Sequence, residues 1–428
     1  MELILISIVF LLTYFIRGGG FSHKAFKVLI RSWLVVLFLS FLNIYKLYDM
    51  SFHVFILFSF FILFYFIGFF SIKNKFSEKL DLYKINESSM GIYNNYIFKY
   101  LSALFLGICI YYSYRFLNIY QGLSDISEVR SIKYEIGGLF INGYSAAIYN
   151  YFVGALIWFY KFTLAFTLVF GIRKYLTAFL FSILICLSYY FVGGGRNIVI
   201  EIIAFYIFLD LLKNSCIKIT FFKILFKYLI LLFFGSLSFV MGTYLRLSNN
   251  ELSKELLYNL FQESFDQILI YITGSFRALD YAINNYNNLF YGFGLYTFSS
   301  IEELFLNFLF LFGFEFKPTN YEVGEILREP ILIGNGQSFN ALYTGIFPFY
   351  FDFGIIGIII FSLLLGVISR YFINLYLRKQ KLTELFLMLS FIQISLFMFM
   401  TFKLNPGFLL IILIFLFLSF FRKVKVKV

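Results

Sequence analysis

The chain has 428 residues, of which 61% are hydrophobic, 24% aromatic and only 14% charged, with a formal net charge of +12. Soluble domains sit near half apolar and a quarter charged, so this is not the composition of a soluble globule. Most basic residues fall in turns between apolar runs, which reads as a membrane-topology signal and not as nucleic-acid binding.

Runs close to the ~20 apolar residues that cross a hydrocarbon core of about 30 Å fall near 2–16, 32–46, 52–72, 97–114, 144–170, 174–192, 197–212, 226–243, 351–371, 384–402 and 406–421. Backbone in lipid must satisfy its own hydrogen bonds, so these runs are helices. The first has no basic leader and no small-residue cleavage site, and reads as a span, not a signal peptide. The expected fold is all-α: a polytopic integral membrane protein of about 11 transmembrane helices, with one large extracytoplasmic loop containing short amphipathic helices. The sequence divides into an N-terminal transmembrane bundle (1–243), the loop (244–340) and C-terminal transmembrane helices (341–428). Cys109, Cys186 and Cys216 lie in or beside spans and show no C-x-x-C spacing or disulfide framework.

Assigning alternate sides to the turns collects Arg17, Lys24, Lys27 and Arg31 with Lys73, Lys75, Lys79, Lys84 and Lys99. Arg173, Lys174, Lys213, Lys218, Arg370, Arg378, Lys379 and the basic tail join the same side. Basic residues stay in the cytoplasm, so the expected amino terminus is outside and the carboxyl terminus cytoplasmic, in a plasma membrane.

The stretch from Thr243 to Asn340 then faces outward, and it carries eleven acidic residues against five basic ones, opposite to the chain as a whole. Within it Phe265, Ile268, Leu269, Ile272, Phe276, Leu279 and Ile283 recur at the spacing of one helix face. Asp266, Thr273, Arg277, Asp280 and Asn284 form the opposite, polar stripe. Ser299-Ser300 followed by Glu302-Glu303 reads as a helix start leading into an apolar run too short to span, so these segments are expected along the bilayer interface. The stretch from Asn284 to Tyr296, rich in Asn, Tyr and Gly, reads as irregular loop.

The first candidate for chemistry is Phe191-Val-Gly-Gly-Gly-Arg-Asn-Ile-Val-Ile-Glu201. Bare backbone at a helix start beside the Arg196 guanidinium suits an anionic oxygen such as a diphosphate, and Asn197 opens the next helix. A tight turn with the arginine snorkelling to headgroups is the bland alternative. Glu201 lies one turn beyond Asn197 on the same face, and an ionisable group inside a span usually faces a cavity. Lys161 is a second buried charge. Its place near the inner third of its span predicts that it snorkels inward and does not pair with Glu201. Arg246, Arg277 and Arg328 with Arg196 supply four forks for an anionic ligand, although any one of them alone could be a solvated side chain. Asp352, in Phe349-Tyr-Phe-Asp-Phe-Gly354, reads first as an N-cap at the outer surface, with acid or base work as the alternative. Only two histidines occur, His23 and His53, and neither belongs to a cluster with metal-ligand spacing. No Walker A sequence or nucleotide fingerprint is present, so no cofactor is expected.

Gly-Gly-Arg-Asn at the start of a middle span, Tyr-Leu-Arg246 at the mouth of the next, the large outer loop, and Gly336-Gln-Ser-Phe-Asn-Ala-Leu-Tyr-Thr…Pro348-Phe-Tyr-Phe-Asp-Phe-Gly-Ile-Ile-Gly357 together resemble the Wzy-type oligosaccharide repeat-unit polymerases of O-antigen and capsule. The resemblance covers the topology of nearly the whole chain and is confined at residue level to about 190–370. It implies metal-independent glycosyl transfer between undecaprenyl-diphosphate-linked glycans at the outer face of the bacterial plasma membrane, with a flippase and a chain-length regulator as partners and no nucleic acid. Arg196, Arg246 and Glu201 are then the expected catalytic residues. Arg277, Arg328, Asn197, Gln337, Asn340, Tyr343 and Asp352 would bind substrate. A lipid-linked oligosaccharide flippase or other transporter is the alternative class. The related O-antigen ligases are a third, for which a loop histidine is expected and here is missing.

Overall fold

The computed structural model describes residues 20–42, 47–73, 82–121, 145, 148–193, 197–216, 240, 254–286, 291–310, 312–314, 316–318, 329–334, 336–339, 343–402 and 405–421. In chain order the helices are α1 (Phe21–Phe41), α2 (Phe52–Ser71), α3 (Leu82–Tyr93), α4 (Tyr96–Gln121), α5 (Gly154–Phe170), α6 (Leu176–Gly193), α7 (Asn197–Cys216), α8 (Lys254–Asn285) and α9 (Ser299–Phe310). A two-stranded antiparallel hairpin follows, β1 (Ile331–Gly334) and β2 (Gln337–Phe339), then α10 (Phe347–Lys379), α11 (Leu382–Leu396) and α12 (Pro406–Phe421).

Among the described residues six helical segments are long and apolar enough to cross a membrane: Phe52–Ser71, Tyr96–Ile119, Tyr151–Phe170, Arg173–Val192, Phe347–Lys379 and Leu382–Phe399, with Pro406–Ser419 a shorter apolar helix. The protein is therefore predominantly helical and built for a membrane. The expected spans 2–16 and, apart from Val240, 226–243 lie outside the described residues. Two corrections to the sequence reading concern α1 and α8. Lys24, Lys27 and Arg31, assigned to a turn, sit in the first half of α1, because long basic side chains are good helix formers and reach water from a helix flank. The helix expected over 265–283 runs to 32 residues in α8. The hairpin departs from a purely α fold.

The chain clusters into two compact units that interleave in sequence. The first comprises Met1–Lys79, Asp266–Lys379 and Leu387–Pro406, and the second Leu80–Phe265, Gln380–Phe386 and Gly407–Val428.

In the first unit α2 and α10 meet backbone to backbone. A Cβ on Gly68 would stand 2.1 Å from the Leu363 carbonyl oxygen, and one on Gly366 would stand 2.4 Å from that of Tyr65. Small residues allow such approach in membranes, where dispersion contacts and not water exclusion drive helix association. Aromatic rings fill the other face of α2: Trp33 of α1 sits edge-on to Phe61 and Tyr65, each at 5.0 Å. Its indole N–H donates to the Ser395 carbonyl at 3.1 Å, and the Ser369 and Ser395 hydroxyls lie 3.1 Å apart. These bonds tie α1, α10 and α11 together through groups that lipid could not satisfy. The hairpin lies against α8 at Gly274, whose missing side chain leaves room for Ile333 and Phe339. It is extended on its other edge by residues 47–48, with Leu47 bridged to Gly334 and the Tyr48 N–H donating to the Ile333 carbonyl at 2.8 Å.

In the second unit α5 is the centre, flanked by α6 and α7. It is preceded by a π-helical turn, Ile148–Val153. Buried hydroxyls latch its neighbours: Tyr93 donates to Thr163 at 3.2 Å and Tyr160 to Ser102 at 2.9 Å. α12 crosses α5 at Gly407, where a Cβ would stand 2.9 Å from the Gly154 carbonyl carbon, and Phe408 stacks on Trp158 at 4.1 Å.

Candidate functional site

Three constructions hold the polar residues that the apolar fold would otherwise exclude. The first is in the second unit. Lys161, on α5, donates to the Glu201 carboxylate on α7 at 2.5 Å, and both side chains are about 95% shielded from solvent. The ammonium also lies 4.1 Å from the centroid of Trp158 and 5.8 Å from that of Tyr189. The aromatic faces add negative potential around the cation, so the pair is packed as well as neutralised. This corrects the expectation that the two do not pair. The depth argument counted residues along each span separately, whereas the four-carbon lysine stem spans a difference in depth of several ångströms. Asn197 is the first residue of α7 and is exposed, one turn above Glu201. Arg196 lies outside the described residues, as do Arg246, Arg328 and Asn340.

The second construction is in the first unit and centres on Asp352. Its side chain is fully buried, which overturns the outer-surface N-cap reading. Oδ1 accepts from the Tyr296 N–H at 3.2 Å and Oδ2 from the Thr297 N–H at 2.7 Å. Asp352 thus caps the turn that precedes α9, a partner 55 residues away in sequence. Two backbone bonds lie beside it, from the Gly292 N–H to the Phe351 carbonyl at 3.1 Å and from the Phe293 N–H to the Asp352 carbonyl at 3.4 Å. Gly292 is obligatory here, since its Cβ would stand 2.6 Å from Asp352 Oδ1 and 2.5 Å from the Tyr296 ring. Two residues on, α10 breaks at Gly354 (φ 63°, ψ −150°), a conformation essentially reserved for glycine. The expected span 351–371 therefore belongs to a longer helix interrupted near its start. Burial, with the Asp352 carboxylate adding to it, pushes the Tyr296 phenol up to about 12. Tyr343, buried against Phe347 at 4.9 Å between ring centroids, has its phenol pushed up by burial as well.

The third is Arg277. Sequence reading placed it on an exposed polar stripe, free for an anion. In the structure it is buried, and its guanidinium donates to three carbonyls: Tyr48 at 2.5 Å, Ser40 at 2.8 Å and Thr273 at 3.1 Å. Asp280 on the same stripe accepts from the Ser51 N–H at 3.1 Å. The stripe thus staples Ser40, Tyr48 and Ser51 to α8. Burial pulls the Arg277 pKa down to about 10, opposed by Asp49 and Asp280, so it stays a cation at neutral pH. Gln337 sits half-buried in β2, paired across the turn with Gly334.

The first unit thus gathers Arg277, Gln337, Tyr343 and Asp352, while Asn197 and Glu201 belong to the second. Among the described residues no three His, Cys, Asp or Glu side chains come together as a metal site requires. No protein-family model, curated protein or solved structure matches the chain. Sequence reasoning missed two features, the Lys161 partnership and the exposure of the Tyr291 and Phe293 rings beside the Asp352 construction. For the latter the alternation Tyr291-Gly-Phe-Gly294 was the available signal.

Proposed function

We propose that the protein polymerises undecaprenyl-diphosphate-linked oligosaccharide repeat units into a surface polysaccharide at the outer face of a bacterial plasma membrane, as a glycosyltransferase. The observation that carries this reading is the Lys161–Glu201 pair, buried one turn into α7, whose start Asn197 follows Gly193-Gly-Gly-Arg196 in the sequence. Desolvating two charges inside apolar helices costs several kcal/mol per ion, and such charges in membrane helices mark substrate paths or chemistry. In this account the acceptor's terminal hydroxyl oxygen attacks the donor's anomeric carbon, the bond from that carbon to the diphosphate oxygen breaks, and lipid diphosphate leaves with the electron pair. Arg196 and Arg246 stabilise the charge developing on the leaving group. Glu201 accepts the hydroxyl proton. Asp352, whose two oxygens hold backbone amides, is assigned to shaping the outer turn, and Arg277 to holding the Ser40 and Tyr48 carbonyls; neither is a direct ligand. The amino terminus is outside and the carboxyl terminus cytoplasmic.

A flippase for the same lipid-linked oligosaccharide is the second reading, because a buried ion pair between membrane helices also suits transport. The ligase reading lacks its expected histidine between Thr243 and Asn340. The test is the surface-glycan ladder of a deletion strain carrying wild-type protein or Arg196→Ala at equal expression. Long chains with wild type and single outer-face units with the variant support polymerisation. Single units trapped on the cytoplasmic side make transport the function.

A further inference from the structure

The segment 291–294 is strained in a way its surroundings enforce. Tyr291 (φ 64°) and Phe293 (φ 53°) both occupy the left-handed region that L-residues avoid, and Gly294 follows at φ 104°. The four hydrogen bonds from Gly292, Phe293, Tyr296 and Thr297 to the Phe351–Asp352 corner hold them there. The outcome is two large rings left uncovered by the rest of the protein, Tyr291 67% and Phe293 78% exposed, with centroids 6.3 Å apart and planes 31° apart. Non-glycine residues held in this region cost free energy and persist only where the surrounding structure over-determines them. Tyr291 lies within electrostatic range of Tyr350, whose hydroxyl is 3.1 Å from Nε2 of the exposed His53. A hydroxyl and an imidazole thus lie in the neighbourhood of Tyr291.

We propose that Tyr291 and Phe293 form a carbohydrate-stacking platform, with His53 and Tyr350 meeting the hydroxyls of the sugar that lies on it. A pyranose ring has an apolar C–H face and a polar rim, which matches two displayed rings with hydrogen-bonding groups in the neighbourhood of Tyr291. Bilayer contact is the competing use of exposed aromatics, and α9 offers a helix face suited to it. Ile301, Phe305, Phe308 and Phe312 are all about half exposed or more and spaced four, three and four residues apart along α9 and its end, with no backbone strain. An interfacial anchor needs apolar area on a helix face and nothing more. Strained, clamped display adds orientation, and orientation serves a ligand with a defined face. The identity of the glycan, a piece of the repeat-unit chain, rests on the function proposed above.

The test uses full-length protein in nanodiscs carrying Phe293→Trp as a fluorescent reporter. The native indoles, Trp33 and Trp158, are buried and contribute little to quenching by acrylamide. Oligosaccharides released by mild acid from the source strain's surface polysaccharide should protect the reporter from acrylamide. Adding Tyr291→Ala should weaken that protection about threefold to tenfold, the loss of one aromatic partner. Gly292→Ala, which drives a methyl into Asp352 and Tyr296, should abolish protection while thermal unfolding still shows a folded protein. Absence of protection, with quenching of the reporter by brominated acyl chains instead, overturns the platform and assigns the rings to the bilayer. The two proposals fail separately. Protection without chain elongation removes the polymerase reading alone, and elongation without protection removes the platform alone.

Discussion

Lys161 and Glu201 show how one contact decides the environment of a whole helix pair. Removing one partner leaves an uncompensated charge among apolar side chains, a loss of about 3–5 kcal/mol, whereas removing both replaces the pair by neutral packing. Lys161→Met and Glu201→Gln should therefore each lower the thermal midpoint of the detergent-solubilised protein, and the double variant should recover most of the loss. A double variant less stable than either single one would show that the pair is not the partnership described. Gly354 makes a second residue-level case. Nothing lies within 4 Å of the position its Cβ would take, so Gly354→Ala meets no clash. The backbone alone should then destabilise the variant by about 1–3 kcal/mol, readable as a lower thermal midpoint, and an unchanged midpoint would mean the break in α10 carries no strain.

At the scale of elements, the crossing of α2 and α10 depends on two glycines that face each other's backbone. Gly68→Val pushes a branched side chain into the Leu363 carbonyl, so the helices must separate. The expected result is loss of folded, monodisperse protein, while Gly91→Val in α3, where nothing lies within 4 Å, should be tolerated up to the modest propensity cost. Equal effects at the two positions would contradict the crossing. Helix placement was legible in sequence where hydropathy alone decides it. The runs 52–72 and 406–421 return as Phe52–Ser71 and Pro406–Phe421 almost residue for residue. The hairpin was legible too, in principle: Asn335-Gly336 after the apolar run Ile331-Leu-Ile333 is a strong hairpin turn, with Gly336 at φ 75°. The sequence reading left that stretch inside the loop without an element. Asp352 and Arg277 could not be placed from sequence. Their partners are main-chain groups at Tyr296, Thr297, Ser40 and Tyr48, and local pattern carries no record of a distant amide or carbonyl.

For the whole molecule, sequence drew three consecutive segments, while the structure interleaves two units, the first returning from Lys79 to Asp266. Long-range closure of this kind depends on small-residue crossings and buried hydrogen bonds, which hydropathy does not encode. Composition does establish the setting. A chain of this apolarity, with six helices among the described residues fit to cross a membrane, places any chemistry at a bilayer, and the charge reversal between Thr243 and Asn340 separates that stretch from the basic turns. The most direct measurement is reconstitution of the purified protein into liposomes with single repeat units linked to undecaprenyl diphosphate and no nucleotide. The account predicts glycans of increasing length with release of free lipid diphosphate, abolished by Arg196→Ala and reduced at least tenfold by Glu201→Gln, the loss of a general base. Movement of intact single units across the bilayer without elongation would contradict it.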